Sequence, residues 1–215
     1  MKLKYEFWNL ENKKPGANHP GFYLEVNMQS IIVSNEILLE RLSEADSVVI
    51  FEAIEANRDW LAKWLPFVSY TNELNDSRAF ITSVIEKRDE TGNEVYVIWY
   101  KGDFAGLISF LNTDKVNEKT ELGYWLVEQF TGKGIITSCA QALLQLAFEK
   151  MMMNRVTIRC AIDNTASENV ALRLGFHFEG IERQGERYKD HFFDLKVFSL
   201  LRSEYNSLEE NLNFI

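Results

Sequence analysis

Six consecutive residues, Gly132 to Thr137 (GKGIIT), have the composition of an anion-binding turn. A strand-like run ends before them and a helical pattern begins among them. A turn of that kind aims several unpaired backbone N–H groups, and the positive end of the helix dipole, at one spot. Gly132 and Gly134 let the backbone come close to a ligand, and Lys133 adds positive charge. A plain strand-to-helix turn also favours glycine, so these residues alone leave an anion site and an ordinary turn both open. They are not the nucleotide P-loop, which separates its first glycine from a Gly-Lys-Ser/Thr by four residues; here the lysine lies between the two glycines.

The other polar candidates have bland readings of their own. Asn164 is a turn or cap residue and Ser167 a polar residue of the following first helical turn. Glu186, beside Arg183 and Arg187, has the setting of a surface ion pair. Trp60 and Trp64 share one face of a short helix, with Phe67 following, and fit either core packing or a cleft wall. Cys139 and Cys160 belong to no CxxC or Cys/His cluster, which argues against a disulfide framework and against a metal site. His177 and His191 fall within strand runs and read as structural.

These residues need elements to hold them. Val95 to Tyr100, Phe104 to Leu111 and Thr120 to Val127 read as strands, with a tight hairpin at Lys101-Gly102-Asp103. After the glycine turn, Ala140, Leu143, Leu144, Ala147 and Met151 recur at helical spacing, predicting a helix to about Met152. Arg155 to Ile162 alternates as a strand, and Asp163-Asn164-Thr165 turns into a helix stopped by Gly175. Strands at Phe176 to Ile181 and His191 to Leu201 complete the core. Upstream, Ile31 to Val33 and Ile37 to Leu39 are extended, and Ser43 caps a helix over Ala45 to Ala56. Asn57 to Leu65 is a short helix stopped by Pro66, and Asp76 is the N-cap of a helix to about Arg88 with the stripe Phe80, Ile81, Val84, Ile85. This order predicts a mixed α/β sheet covered by helices. Residues 1–28, with Pro15 and Pro20, read as a loosely ordered extension, 29–205 as one domain and 206–215 as a tail.

Composition narrows the function classes. A chain of 215 residues, 46% hydrophobic and 13% aromatic, can bury one sizeable core but not two. The formal charge of −9 works against nucleic-acid binding. No stretch approaches the roughly 18 to 20 apolar residues of a membrane span, and Met1 to Asn9 carries Lys2, Lys4 and Glu6 where a signal peptide needs an apolar run. The expectation is a soluble, cytoplasmic protein with no nucleic-acid or membrane partner.

Three blocks taken together carry a resemblance: ELGYWLVEQFTGKGIIT (Glu121 to Thr137), NRVTIRCAIDNTASENVALRLGFHFEG (Asn154 to Gly180) and RYKDHFFDLKVFSLLRSEY (Arg187 to Tyr205). They resemble the GCN5-related N-acetyltransferase (GNAT) superfamily, in its RimJ/RimL-type branch, and the similarity extends upstream through LLERLSEAD (Leu38 to Asp46) and NRDWLAKWLPF (Asn57 to Phe67). The resemblance implies the GNAT fold: a mostly antiparallel central sheet flanked by helices, with a splayed strand and a pyrophosphate-binding turn. It implies direct acetyl transfer from acetyl-CoA to an amine, either a protein N-terminal α-amine or a small amine, with no covalent enzyme intermediate and no metal. The splayed strand at Trp125, Leu126 and Val127 would pair with the pantetheine amides, and Gly132, Lys133, Gly134, Ile135, Ile136 and Thr137 would hold the pyrophosphate. Asn164 would touch the pantetheine arm and Arg173 would lie near the adenosine end. Ser167 corresponds to the acid and Glu186 to the base of the RimL-like branch, with Glu121 the second candidate for the base; the helix of Trp60 and Trp64 would line the acceptor cleft. RimL-like relatives often pair, so a homodimer is an expectation. Thr131, Ile136 and Ala171 depart from the superfamily pattern, the last in place of a frequent tyrosine acid. These departures keep a rival reading in view, a non-catalytic acyl-CoA-binding module of the same fold.

Overall fold

The structure is a computed structural model and describes residues 26–27 and 29–212; the rest of the expected extension lies outside the described residues. Its strands are β1 (Val26–Asn27), β2 (Ser30–Ile32), β3 (Ile37–Arg41), β4 (Glu94–Tyr100), β5 (Asp103–Asp114), β6 (Lys119–Leu126), β7 (Arg155–Ala161), β8 (His177–Tyr188) and β9 (His191–Leu201). They form one sheet in the order β1-β2-β3-β4-β5-β6-β7-β9-β8. Every pairing is antiparallel except β6 with β7. The helices are α1 (Ser47–Ala56), α2 (Arg58–Leu61), α3 (Leu74–Thr91), α4 (Ile135–Gln145), α5 (Thr165–Arg173) and α6 (Arg202–Leu212). This is the mixed, mostly antiparallel sheet with flanking helices that the sequence predicts.

Central strands β4 and β5 are buried along most of their length, with Tyr96, Val97, Ile98, Ile108 and Phe110 fully enclosed, so helices must cover both faces. The hairpin between them turns through Lys101 (φ 54°) and Gly102 (φ 86°), two left-handed residues of the kind a two-residue turn requires. α4 lays Ala140, Leu143 and Leu144 into the core. The helix expected to reach Met152 instead passes into a π-helical turn over Leu146–Lys150, which closes with the Met151 N–H on the Leu146 carbonyl at 2.9 Å.

Helix starts follow side-chain chemistry. Ser43 heads a 3-10 turn, Glu44–Asp46, that leads into α1; its N–H and hydroxyl both donate to Asp46 Oδ2, at 2.9 and 2.7 Å. The start expected at Asp76 is corrected: the N-cap of α3 is Glu73. Asp76 sits inside the first turn because its carboxylate accepts the N–H groups of Asn72 (2.7 Å) and Glu73 (3.0 Å). Those two bonds hold its pKa below the ordinary value. The apolar stripe of α3 is likewise narrower than expected, with Ile81 buried and Phe80 48% exposed. At the far end, buried Glu94 pairs with Arg41 and with Arg88 Nε (3.2 Å), tying α3 to β3 and β4.

Strand β8 runs on to Tyr188, well past the expected end at Ile181. Residues 182–187 (ERQGER) lack apolar alternation. What makes them a strand is backbone pairing with β9, across register shifts between Glu182 and Glu186. The boundary expected at residue 205 falls inside α6, where Tyr205 stacks its ring on Phe148 at 4.9 Å; residues 213–215 lie outside the described residues.

Candidate active site

A break in the sheet makes the site. The parallel pairing of β6 with β7 runs only through Lys119–Arg155, Thr120–Val156 and Glu121–Thr157. Beyond it β7 keeps β9 and β6 keeps β5, so a gap opens between them. Gly106 on β5 indicates which peptide groups face that gap. Its φ is 155°, and a Cβ there would lie 2.0 Å from the Trp125 carbonyl oxygen, so glycine is required and Trp125 turns its carbonyl toward β5. Val127 also faces β5, its N–H donating to the Ala105 carbonyl at 2.9 Å. Peptide groups alternate edges along a strand, so Tyr124 and Leu126 present theirs to the gap. Of Trp125, Leu126 and Val127, it is Leu126 whose peptide groups turn toward the gap.

Beyond the gap lies the glycine turn. Gly132 (φ 74°) and Gly134 (φ 75°) are both left-handed, and a Cβ at either would meet nothing within 4 Å. Their conformation favours glycine, and open space lies in front of them. The first helical bond of α4 runs from Ser138 N–H to the Gly134 carbonyl at 3.0 Å. The N–H groups of Ile135, Ile136 and Thr137 therefore precede the ladder and remain available to an anion. Ile135 and Ile136 bury their side chains beneath this cradle. Lys133 is exposed, its ammonium 5.1 Å from the Phe130 ring and 5.7 Å from that of Tyr100.

Two cavities meet at the break. The smaller, about 360 Å³, is lined by Trp60, Leu126, the turn from Gly132 to Thr137, and Arg173 on α5. The larger, about 520 Å³, is walled by Phe67, Phe80, Val84 and Leu111, and carries Glu121, Arg159 and Glu186. Trp64, Leu65, Tyr124, Trp125, Asn164 and Ser167 line both. Asn164 caps α5, its Oδ1 accepting the Ser167 N–H at 3.1 Å, which fixes the first turn where the cavities join. Tyr124 reaches across from β6 to place its hydroxyl 2.8 Å from Ser167 Oγ. Sequence reasoning passes over Tyr124 because its partner is 43 residues away, and no local pattern marks the pair.

The tryptophan segment is held from several sides. Arg58 donates to the carbonyls of Val68 (2.6 Å) and Thr71 (2.7 Å), and the hydroxyl of buried Tyr188 donates to the Ala62 carbonyl. Trp64 thereby lines both cavities. Trp60 lines the smaller cavity, where its indole N–H donates to the Leu126 carbonyl (3.3 Å) that the break leaves without a strand partner.

The two candidate carboxylates differ in how far they are committed. Glu121 Oε2 accepts from Arg159 Nε at 3.0 Å and from Asn112 Nδ2 at 3.1 Å, and Arg159 also pairs with Glu182 at 3.1 Å. Glu186 faces the same cavity from the mouth of β8 without entering that network. Partial burial raises its carboxyl above the ordinary value, with Arg159 pulling the other way and Glu121 adding to the rise. The thiols are poor nucleophiles, since burial pushes Cys139 far up and Cys160 up to about 11.

Residues 36–177 match the family model described as an acetyltransferase (GNAT) domain, about two thirds of the chain. The chain belongs to the GNAT acetyltransferase family. Among the relatives of this GNAT protein is YdaF of Bacillus subtilis (strain 168), provisionally named a ribosomal N-acetyltransferase, 36% identical over 80% of this chain and 95% of that protein. The ribosomal-protein-serine acetyltransferase of Escherichia coli (strain K12) is 29% identical over 80% of this chain and 96% of that protein. A solved structure of RimL, a ribosomal-protein α-N-acetyltransferase in complex with coenzyme A, is similar with a TM-score of 0.76 and 27% identity over 80% of this chain and 97% of that one. A microcin self-immunity acetyltransferase in complex with acetyl-CoA and AMP gives 0.77 and 29% over 81% and 97%. This GNAT chain is an N-acetyltransferase.

Proposed function

We propose that this GNAT enzyme takes acetyl-CoA as co-substrate and transfers its acetyl group directly to the α-amine of a protein N-terminus. One observation carries the reading: the cavity bearing the glycine turn and the cavity bearing the carboxylates share a wall that contains Ser167. The orphan N–H groups of Ile135 to Thr137, with open space before Gly132 and Gly134, suit a diphosphate. The Tyr124 and Leu126 peptide groups at the gap suit an amide-bearing arm, and Arg173 stands at the rim of the same cavity. The relatives named for ribosomal-protein acetylation favour a protein acceptor.

In this reading the chain's side chains move two protons. An amine attacks only when neutral, and it must lose a proton as its nitrogen bonds the acetyl carbon. Glu186, at the mouth of the larger cavity, takes that proton directly or through water. Glu121 is held by Arg159 and Asn112, which leaves it the weaker candidate. As the carbon–sulfur bond breaks, Ser167 gives its hydroxyl proton to the departing sulfur and is reprotonated from solvent. Trp64, Phe67 and Phe80 wall the acceptor side.

The test is mass spectrometry of acetyl-CoA reactions with serine-initiated peptides, polyamines and aminoglycosides. The expected product is a peptide acetylated at its α-amine. Acetylation of small amines alone would move the acceptor to that class, and CoA-dependent thermal protection with no product from any amine would favour the binding-module reading.

A further inference from the structure

The hydroxyl at the junction of the two cavities does not stand alone. Tyr124 OH lies 2.8 Å from Ser167 Oγ and 3.4 Å from the Ser167 carbonyl oxygen. Two hydroxyls at 2.8 Å share one hydrogen bond, and its direction decides what Ser167 can do. If Ser167 donates, its only proton is spent on the phenol, and the phenol proton is left with the 3.4 Å carbonyl contact, long for an O–H···O bond. If Tyr124 donates, the phenol uses the short contact and the Ser167 proton is left to point into the cavities, where the Cys160 sulfur on the wall of the larger one is also within its reach. Burial pushes the phenol pKa far up, so Tyr124 keeps its proton and remains a donor across the working pH range. The backbone fixes the rest: Asn164 holds the Ser167 N–H at 3.1 Å, and Tyr124 sits on β6 beside Gly123 and Trp125, where the strand borders the gap.

We infer that Tyr124 is the positioning residue for Ser167: its phenol donates to Ser167 Oγ, leaves the serine proton to turn into the cavities, and stabilises the oxygen as that proton leaves. The inference rests on the proposed acetyl transfer, in which Ser167 protonates the sulfur. Tyr124 gives up no proton of its own. The proton on the product thiol comes from Ser167, and solvent restores it.

The test is a double-mutant cycle on full-length protein with acetyl-CoA and a serine-initiated peptide, reading kcat, both KM values and the pH profile. Tyr124→Phe should lower kcat by about ten- to hundred-fold, within the range of general-acid effects, with the acetyl-CoA KM within about two-fold of wild type. Adding Tyr124→Phe to Ser167→Ala should cost nothing further, because the group it positions is gone. A structural role would instead lower melting temperature or raise KM without that non-additivity. Wild-type kcat in Tyr124→Phe, or losses that multiply in the double variant, overturns the inference while acetyl transfer stands. A wild-type enzyme that acetylates no amine removes the proposed function and this inference with it.

Discussion

The two cavities are built from different material. On the glycine-turn side the useful groups are peptide N–H groups, set by backbone conformation at Gly132 and Gly134 and by the start of α4. On the carboxylate side they are side chains: Ser167 beside Tyr124, Glu121 held by Arg159, and Glu186 at the end of a long edge strand. A backbone site tolerates changes of side chain, so under the proposed function Thr131 and Ile136 can replace the residues usual in the superfamily while the N–H groups of the turn keep their geometry. A side-chain site has no such tolerance, since each group depends on a partner brought from elsewhere in the chain. A single-atom change should therefore damage the second region, whereas the first should yield only to changes that alter φ or fill the space in front of the turn.

Ser167→Ala should have the largest effect. Turnover should fall by about ten- to thousand-fold while acetyl-CoA affinity changes little, because the hydroxyl matters only as the thiolate forms. Steady-state kinetics paired with calorimetric binding checks it; an affinity loss at unchanged kcat would make Ser167 part of the backbone-type region.

Gly134→Val comes next. The φ of 75° costs a β-branched residue about 1–3 kcal/mol, and the new side chain projects into the open space before the turn. CoA affinity should drop by more than about ten-fold and CoA-dependent thermal protection should vanish, an effect of over about 1.4 kcal/mol on binding. Thermal-shift titration against Gly134→Ala, which adds less bulk at the same φ, separates strain from blockage. Unchanged affinity in Gly134→Val would end the claim that this turn is the anion cradle.

The smallest effect separates the carboxylates. If Glu186 is the base of the proposed reaction it works as a carboxylate, and burial raises its pKa, so activity should fall as pH drops through a value above the ordinary carboxyl of about 4.3. Glu186→Gln should lose that acid limb, run about ten-fold slower near pH 7, and recover partly as alkaline pH supplies more neutral amine, whose pKa is about 7.7 to 8.0. Glu121→Gln, which leaves Asn112 and Arg159 in place, should be milder. A pH–rate profile in which Glu121→Gln collapses while Glu186→Gln matches wild type would exchange their roles.

Much of this molecule is legible in its sequence where the signal is local. The strands from Val95 to Val127, the hairpin at Lys101 and Gly102, the alternation from Val156 to Cys160 and the stop at Gly175 depend on near neighbours, on glycine or on a short period. The glycine turn belongs with them, because the left-handed φ of Gly132 and Gly134 is a property of residue type. What tertiary structure decided lies at a distance along the chain. The sheet breaks after Glu121 because β7 continues with β9 and β6 with β5, and no residue between Leu122 and Leu126 announces it. β8 reaches Tyr188 only because β9 pairs with its polar half. Trp60 lines the smaller cavity, where a carbonyl freed by the break takes its indole N–H. Tyr124 meets Ser167 across 43 residues and Arg159 commits Glu121 across 38, contacts set by sheet order and register that no window of sequence contains.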